Sequence, residues 1–162
     1  MKNLIFLMQH SYNDTLVGPQ LAKNLPKSVY LDGNWCCYTE PRVFNDITIN
    51  LTLDNMVYII NNYMIARIFD DIIVGYDFDN MQMVDTIVEH LDFTEGVHIT
   101  CFNLTNTDDL VDVDNFELMN KEYESNYHST PSTNQLIKTS SIDTTQISAF
   151  KVAKIIEEIV YK

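Results

Sequence analysis

Apolar and polar positions along this chain follow two alternating rhythms. Leu4-Ile5-Phe6-Leu7-Met8 is a continuous apolar run, as in a strand covered on both faces. The polar stretch Gln9 to Asp14 follows, then a short helical segment over Leu16 to Leu25 that Pro26 ends. Ser28-Val29-Tyr30-Leu31 predicts a second strand, closed by Asp32-Gly33. From Thr48 to Arg67 the rhythm is helical: Ile49, Leu53, Met56, Val57, Ile60 and Tyr63 or Met64 recur at three- and four-residue steps. Asp71 to Tyr76 predicts a third strand. Met81 to Leu91 predicts a helix with Val84, Ile87, Val88 and Leu91 on one stripe, and Val97 to Leu104 a fourth strand. Asp108 to Glu124 predicts a weakly amphipathic helix, Ser125 to Gln135 a loop, and Leu136 to Thr139 a short fifth strand. A last helix runs to Val160, capped by Thr144 or Thr145, with Ile147, Phe150, Val152, Ile155, Ile156 and Ile159 as its apolar face.

Strands that alternate with helices over short connections imply a parallel sheet with helices on both faces, a three-layer α/β fold. A continuous apolar first strand belongs at the centre of that sheet. Ligands in such folds sit at the carboxyl ends of the strands. The loops after Met8, Leu31, Tyr76 and Leu104 are therefore where chemistry is expected. At 162 residues the chain is expected to form a single domain.

Charge changes the picture. Ten Lys and Arg stand against 23 Asp and Glu, a net charge of −13. So acidic a surface repels phosphate backbones and anionic lipid, and neither nucleic acid nor membrane is an expected partner. No apolar stretch reaches the length of a membrane span, and the short apolar opening lacks the small-residue cleavage site of an export signal. Cys36, Cys37 and Cys101 form no disulfide ladder and fit thiols in a reducing cytoplasm. His10, His90, His98 and His128 fall in no zinc spacing, and no metal site is expected.

The first strand–loop–helix is the natural seat of a phosphate loop. A working loop reads GxxxxGK[ST]: glycines let backbone amides curl round the phosphates, lysine neutralises charge, and the hydroxyl holds Mg²⁺. The segment here is Gln9-His10-Ser11-Tyr12-Asn13-Asp14-Thr15-Leu16, which by composition is no phosphate loop.

Beyond that loop the chain resembles the P-loop small-molecule and nucleotide kinases, bacterial proteins of an AAA-type ATPase-like group. The residues that carry the resemblance are Leu31-Asp32-Gly33-Asn34-Trp35-Cys36-Cys37, with Pro41 and Val43 after them. The family has aspartate-glycine-aspartate-tryptophan-cysteine-tryptophan at that place. Leu21 to Pro26, Leu53 to Met56, Phe69 to Ile73 and Ala153 to Ile156 extend the likeness over nearly the full length, more weakly from Asp108 to Gln135. The resemblance implies a five-stranded parallel sheet in the order 2-3-1-4-5, a lid in the region 105–135, and ATP-dependent phosphotransfer with Mg²⁺.

The departures from the family are systematic. Gln9 and Asp14 stand at the two glycine positions, Thr15 at the lysine and Leu16 at the Mg²⁺-binding hydroxyl. A carboxylate about 4 Å from a phosphate charge costs roughly 4 kcal/mol at an effective dielectric near 20, close to a thousandfold in affinity. Asp14 also has a constructive reading, as a carboxylate that caps the first helix and fills the place of a phosphate. Pro19 disfavours helical geometry at Gly18, so a late helix start is expected. After the second strand Asn34 replaces the family's second aspartate and cannot act as a base. Asp32 is the remaining candidate base, or a turn former. Trp35 is a substrate-stacking wall or a core residue. Asp77 and Asp79 are substrate-side or cation-binding candidates, or else caps and turn residues. Between Phe69 and Asn120 no Lys or Arg is present to act as a lid cation.

The expected function is therefore a catalytically degenerate relative of these kinases, a binding or regulatory module with no cofactor, serving a protein or small-molecule partner. Two alternatives stand beside it. One is a divergent kinase or nucleotide-binding protein that uses ATP and Mg²⁺ through other residues, among them Asp32, His10 and Thr15. The other is an acidic interaction protein whose surface charge is itself the function.

Overall fold

The computed structural model describes residues 1–92, 95–106 and 134–162. Strands β1 (Lys2–Met8), β2 (Ser28–Asp32), β3 (Asp71–Tyr76), β4 (Val97–Thr105) and β5 (Ile137–Asp143) form one parallel sheet in the order β2-β3-β1-β4-β5. The helices are α1 (Val17–Asn24), α2 (Asp46–Ile65), α3 (Met81–Glu89) and α4 (Ala149–Val160). Fold and strand order are those expected. β1 is central, paired with β3 on one side and β4 on the other.

Two cores explain why β1 carries no polar position from Leu4 to Met8. Leu4, Phe6 and Met8 face one core with Leu53, Met56 and Ile60 of α2 and Val84, Ile87 and Val88 of α3. Ile5 and Leu7 face the other with Val17 and Leu21 of α1 and Val152, Ala153 and Ile156 of α4. A strand whose two faces both meet helices has no position left for a solvated side chain. Gly18 lets α1 lie directly on Tyr30 of β2: a Cβ there would overlap the phenol ring.

Several boundaries differ from expectation, each for a local reason. α1 is not delayed by Pro19. It begins at Val17, directly after a 3₁₀ turn over Asp14–Leu16. Pro19 lies in the first turn of α1, where proline is tolerated. α2 starts two residues before Thr48, because Asn45 and Thr48 form a reciprocal capping box. β5 begins later and ends later than Leu136–Thr139. α4 is capped by Ser148, whose hydroxyl accepts from the Lys151 amide, and not by Thr144 or Thr145. Its buried stripe is Val152, Ala153 and Ile156, while Phe150, Ile155 and Ile159 face outward. The helix expected over Asp108–Glu124, most of the 105–135 lid region and most of the loop from Ser125 lie outside the described residues.

Candidate functional site

The carboxyl ends of β1, β2 and β3 open onto a cleft of about 410 Å³, lined by Gln9, His10, Ser11, Tyr12, Thr15, Asp32, Asn34, Trp35, Tyr38, Arg42 and Asp77. Its floor is the loop that follows β1. Asp14 is 1% exposed. Its Oδ2 accepts from the backbone amides of His10 at 3.3 Å and Ser11 at 3.2 Å. Its Oδ1 accepts from the Thr144 hydroxyl at 2.9 Å. In return the Ser11 hydroxyl accepts from the Asp14 amide at 3.2 Å. The carboxylate therefore reaches back into its own loop. The expected forward cap on α1 is absent: neither the 3₁₀ turn nor α1 has a side-chain cap at its start. The half of the expectation that stands is that amides of this loop are met by the chain's own anion.

Of the other loop residues, Thr15 is committed in the same way. Thr15 donates its hydroxyl to the Tyr12 carbonyl at 2.6 Å, so it offers nothing to an incoming anion. Leu16 stands at the metal-hydroxyl position with an aliphatic side chain, 46% exposed. Asn13 precedes the 3₁₀ turn without a side-chain bond to it. Gln9 is buried, and its amide packs in the space that Gly75 leaves by having no Cβ, 3.5 Å from the Tyr30 hydroxyl. The nucleoside phosphate and Mg²⁺ that the fold implies do not fit this loop: a buried carboxylate holds its amides, and neither an ammonium nor a metal-binding hydroxyl is in place.

His10 is held from both ends of its ring. Nδ1 faces Asp77 Oδ1 at 3.3 Å and Nε2 faces Asn103 Oδ1 at 3.0 Å. Burial alone pushes an imidazole pKa down, but the bonds to Asp77 and Asn103 and the charges of Asp77 and Asp14 outweigh it, so the pKa is raised. With both nitrogens facing oxygens, the protonated ring donates twice. His10 thus ties the end of β1 to Asp77 after β3 and to Asn103 of β4. Asp79 lies beside this pair and outside the cleft lining. Burial, then repulsion from Asp77, raises its pKa, while His10 opposes the shift. Asp77 is paired with His10, and among the described residues no group of three or more His, Cys, Asp or Glu could hold a metal.

The wall of the cleft comes from the segment after β2. Asp32 Oδ1 accepts from the Asn34 amide at 2.9 Å and from the Asn34 side chain at 3.0 Å, which makes it a cap of the 3₁₀ turn Gly33–Trp35. The turn-forming role expected of it is built, and the residue also lines the cleft. Trp35 is not a core residue. It is 74% exposed and stacks on Tyr38, with centroids 5.8 Å apart and planes at 22°. Arg42 lies over the Phe44 ring at 5.4 Å.

Three participants carried no sequence signal strong enough to name them. Asn103 is a polar residue inside the apolar fourth strand, opposite Met8 in register, and that interruption was the available clue. Thr144 follows β5 directly and bridges Asp14 to Thr105: its hydroxyl donates to the Asp14 carboxylate and its backbone amide to the Thr105 carbonyl. Tyr38 lies beyond the motif, and its place against Trp35 depends on how the chain turns after Cys37.

No protein-family profile matches the chain, and no curated protein sequence matches it significantly. Solved structures do. A tunicamycin resistance protein from Deinococcus radiodurans superposes with a TM-score of 0.59 at 16% identity, over 99% of this chain and 96% of that one. A gluconokinase from Sinorhizobium meliloti gives a TM-score of 0.53 at 11% identity, over 99% of this chain and 95% of that one. Sheet order, layering and these likenesses agree: the chain has a P-loop kinase-like fold.

Proposed function

We propose that this chain is a catalytically degenerate form of the P-loop kinase-like fold, a binding or regulatory module without ATP-dependent phosphotransfer. One observation carries the reading. The amides of His10 and Ser11, in the loop where this fold would receive phosphate, are taken by the buried Asp14 carboxylate. A triphosphate would have to displace an anion that is part of the chain and also hydrogen-bonded to Thr144. Thr15, Leu16 and Asn34 support the same reading, since each removes a group that transfer requires. A divergent kinase would need a base at the cleft. Asp32 Oδ1 is engaged by Asn34, and both His10 nitrogens are engaged by Asp77 and Asn103.

The partner is proposed to be a small molecule or a protein segment that enters the cleft along the Trp35–Tyr38 wall. Nucleic acid and membrane remain outside the proposal on charge grounds. Among the described residues no helix is long and apolar enough to cross a membrane.

Calorimetry with Mg-ATP tests the reading. The expected result is no binding in the micromolar range, and Mg-dependent micromolar binding refutes it. The double change Asp14→Gly with Thr15→Lys empties the loop amides and restores a cation. It is expected to raise affinity for tripolyphosphate at least tenfold. An unchanged affinity means that Asp14 is not what blocks the loop.

A further inference from the structure

We propose that the outer face of α2 is a self-association surface on which a second copy of this chain packs its own α2 antiparallel. α2 is apolar on both sides. Its inner face, Leu53, Met56, Ile60 and Met64, is buried in the core. Its outer line carries Ile47, Leu51, Tyr58 and Ile65, which are 76%, 48%, 71% and 61% exposed. These residues fall at four- and seven-residue steps and so form one straight stripe. Phe44 and Ile68, both exposed, continue it past each end of the helix. A surface helix of a monomer presents polar residues on its outer face. Here Asp54 and Asn62 are the polar members of that line, and no described element covers it.

The stripe is self-complementary in the way a two-fold interface requires. An antiparallel pairing centred on Met56, close to the middle of α2, sets Ile47 of one copy against Ile65 of the other. The same register sets Asp54 against Tyr58, whose hydroxyl donates to the carboxylate. It also brings Asp46 at the start of one helix beside Arg67 past the end of the other. Asp46, Asp54 and Arg67 are all exposed. On a molecule of net charge −13, most surfaces repel a second copy, whereas this face offers matched acid and base at opposite ends. A stripe about 30 Å long and about 10–12 Å wide is a small interface. The dimer is therefore a weak, reversible one rather than obligate.

Sedimentation velocity on the full chain, from about 1 to about 200 µM, tests the proposal. The expected result is reversible dimerisation that Leu51→Glu weakens at least tenfold while the circular dichroism spectrum is unchanged. Asp46→Arg alone and Arg67→Asp alone are each expected to weaken it several-fold. Together they are expected to restore it to within about twofold, because only the antiparallel register pairs these two positions. A chain that stays monomeric throughout overturns the proposal and leaves the stripe to another occupant. A dimer indifferent to Leu51→Glu, or a double charge exchange that fails to restore association, overturns it as well.

Discussion

Replacing Asp14 with alanine leaves the His10 and Ser11 amides and the Thr144 hydroxyl without their shared acceptor. Hydrogen bonds to a charged group are worth about 1.5–3 kcal/mol, and buried partners left unsatisfied add to the loss. Asp14→Ala is therefore expected to cost about 2–3 kcal/mol, a fall in melting temperature of about 4–12 °C for a chain of this size. A change below about 1 °C in differential scanning calorimetry would mean that the carboxylate holds nothing in place. His10 gives a second test, through pH. Its pKa is raised in the fold, so the folded state binds the proton more tightly than the unfolded chain does. The stability it contributes is complete below the ordinary imidazole value of 6.5 and is lost as pH rises through the raised value. His10→Gln is expected to flatten the stability profile across that window, measured by urea unfolding at a series of pH values. An unchanged slope would remove His10 as the titrating group. At this scale the sequence showed which residues stand where the kinases it resembles carry their loop chemistry, because a departure at a motif position is visible without coordinates. It did not show which way Asp14 points. A carboxylate beside a helix start caps forward by default, and only the nearness of Thr144, 130 residues away, and of the loop's own amides turns it back.

At the scale of elements, the ends of α4 show what local pattern conveys and what it does not. The apolar period placed a helix up to Val160, and it is there. The cap was misread by three or four residues, since Thr144, Thr145 and Ser148 are equally good caps by type. Thr144 is withdrawn from capping by its bonds to Asp14 and the Thr105 carbonyl. The far end is tied down by Tyr161, whose hydroxyl donates to Asp71 at 2.6 Å, with Asn3 adding a bond to the same carboxylate at 2.7 Å. Asp71 is 1% exposed, so this carboxylate depends on its two partners. Tyr161→Phe keeps the ring and removes one charge-assisted bond. It is expected to destabilise the domain by about 1.5–3 kcal/mol. The loss should come with faster amide exchange in the last turn of α4, read by hydrogen exchange. Global loss without local fraying would place the role of Tyr161 in the sheet instead. α2 is the element whose inner face was readable and whose outer face was passed over. A search for one helical stripe finds Leu53, Met56 and Ile60 and stops, although Ile47, Leu51, Tyr58 and Ile65 form a second.

For the whole molecule, strand order was legible because alternation of strand and helix and the doubly apolar β1 leave few parallel arrangements. Charge was equally legible, and its consequence can be measured. A net charge of −13 sets most of the surface against itself. The described ion pairs do little to offset this: Lys27–Asp70 and Lys162–Glu158 are exposed and worth little, and His10–Asp77 is half-buried only on its His10 side. Screening therefore relieves more repulsion than attraction. Raising NaCl from about 0.01 to about 0.15 M shortens the Debye length from about 30 to about 8 Å and is expected to raise the melting temperature. The identity of the anion separates this general effect from a site. A working phosphate loop would add specific stabilisation with low-millimolar tripolyphosphate, growing with the logarithm of its concentration. With Asp14 already in the loop, tripolyphosphate is expected to stabilise no more than NaCl of equal ionic strength. Asp14→Gly with Thr15→Lys is expected to show the extra term that the parent lacks. If the parent chain itself gains several degrees from tripolyphosphate beyond matched NaCl, an anion site survives and the carboxylate has not replaced the phosphate.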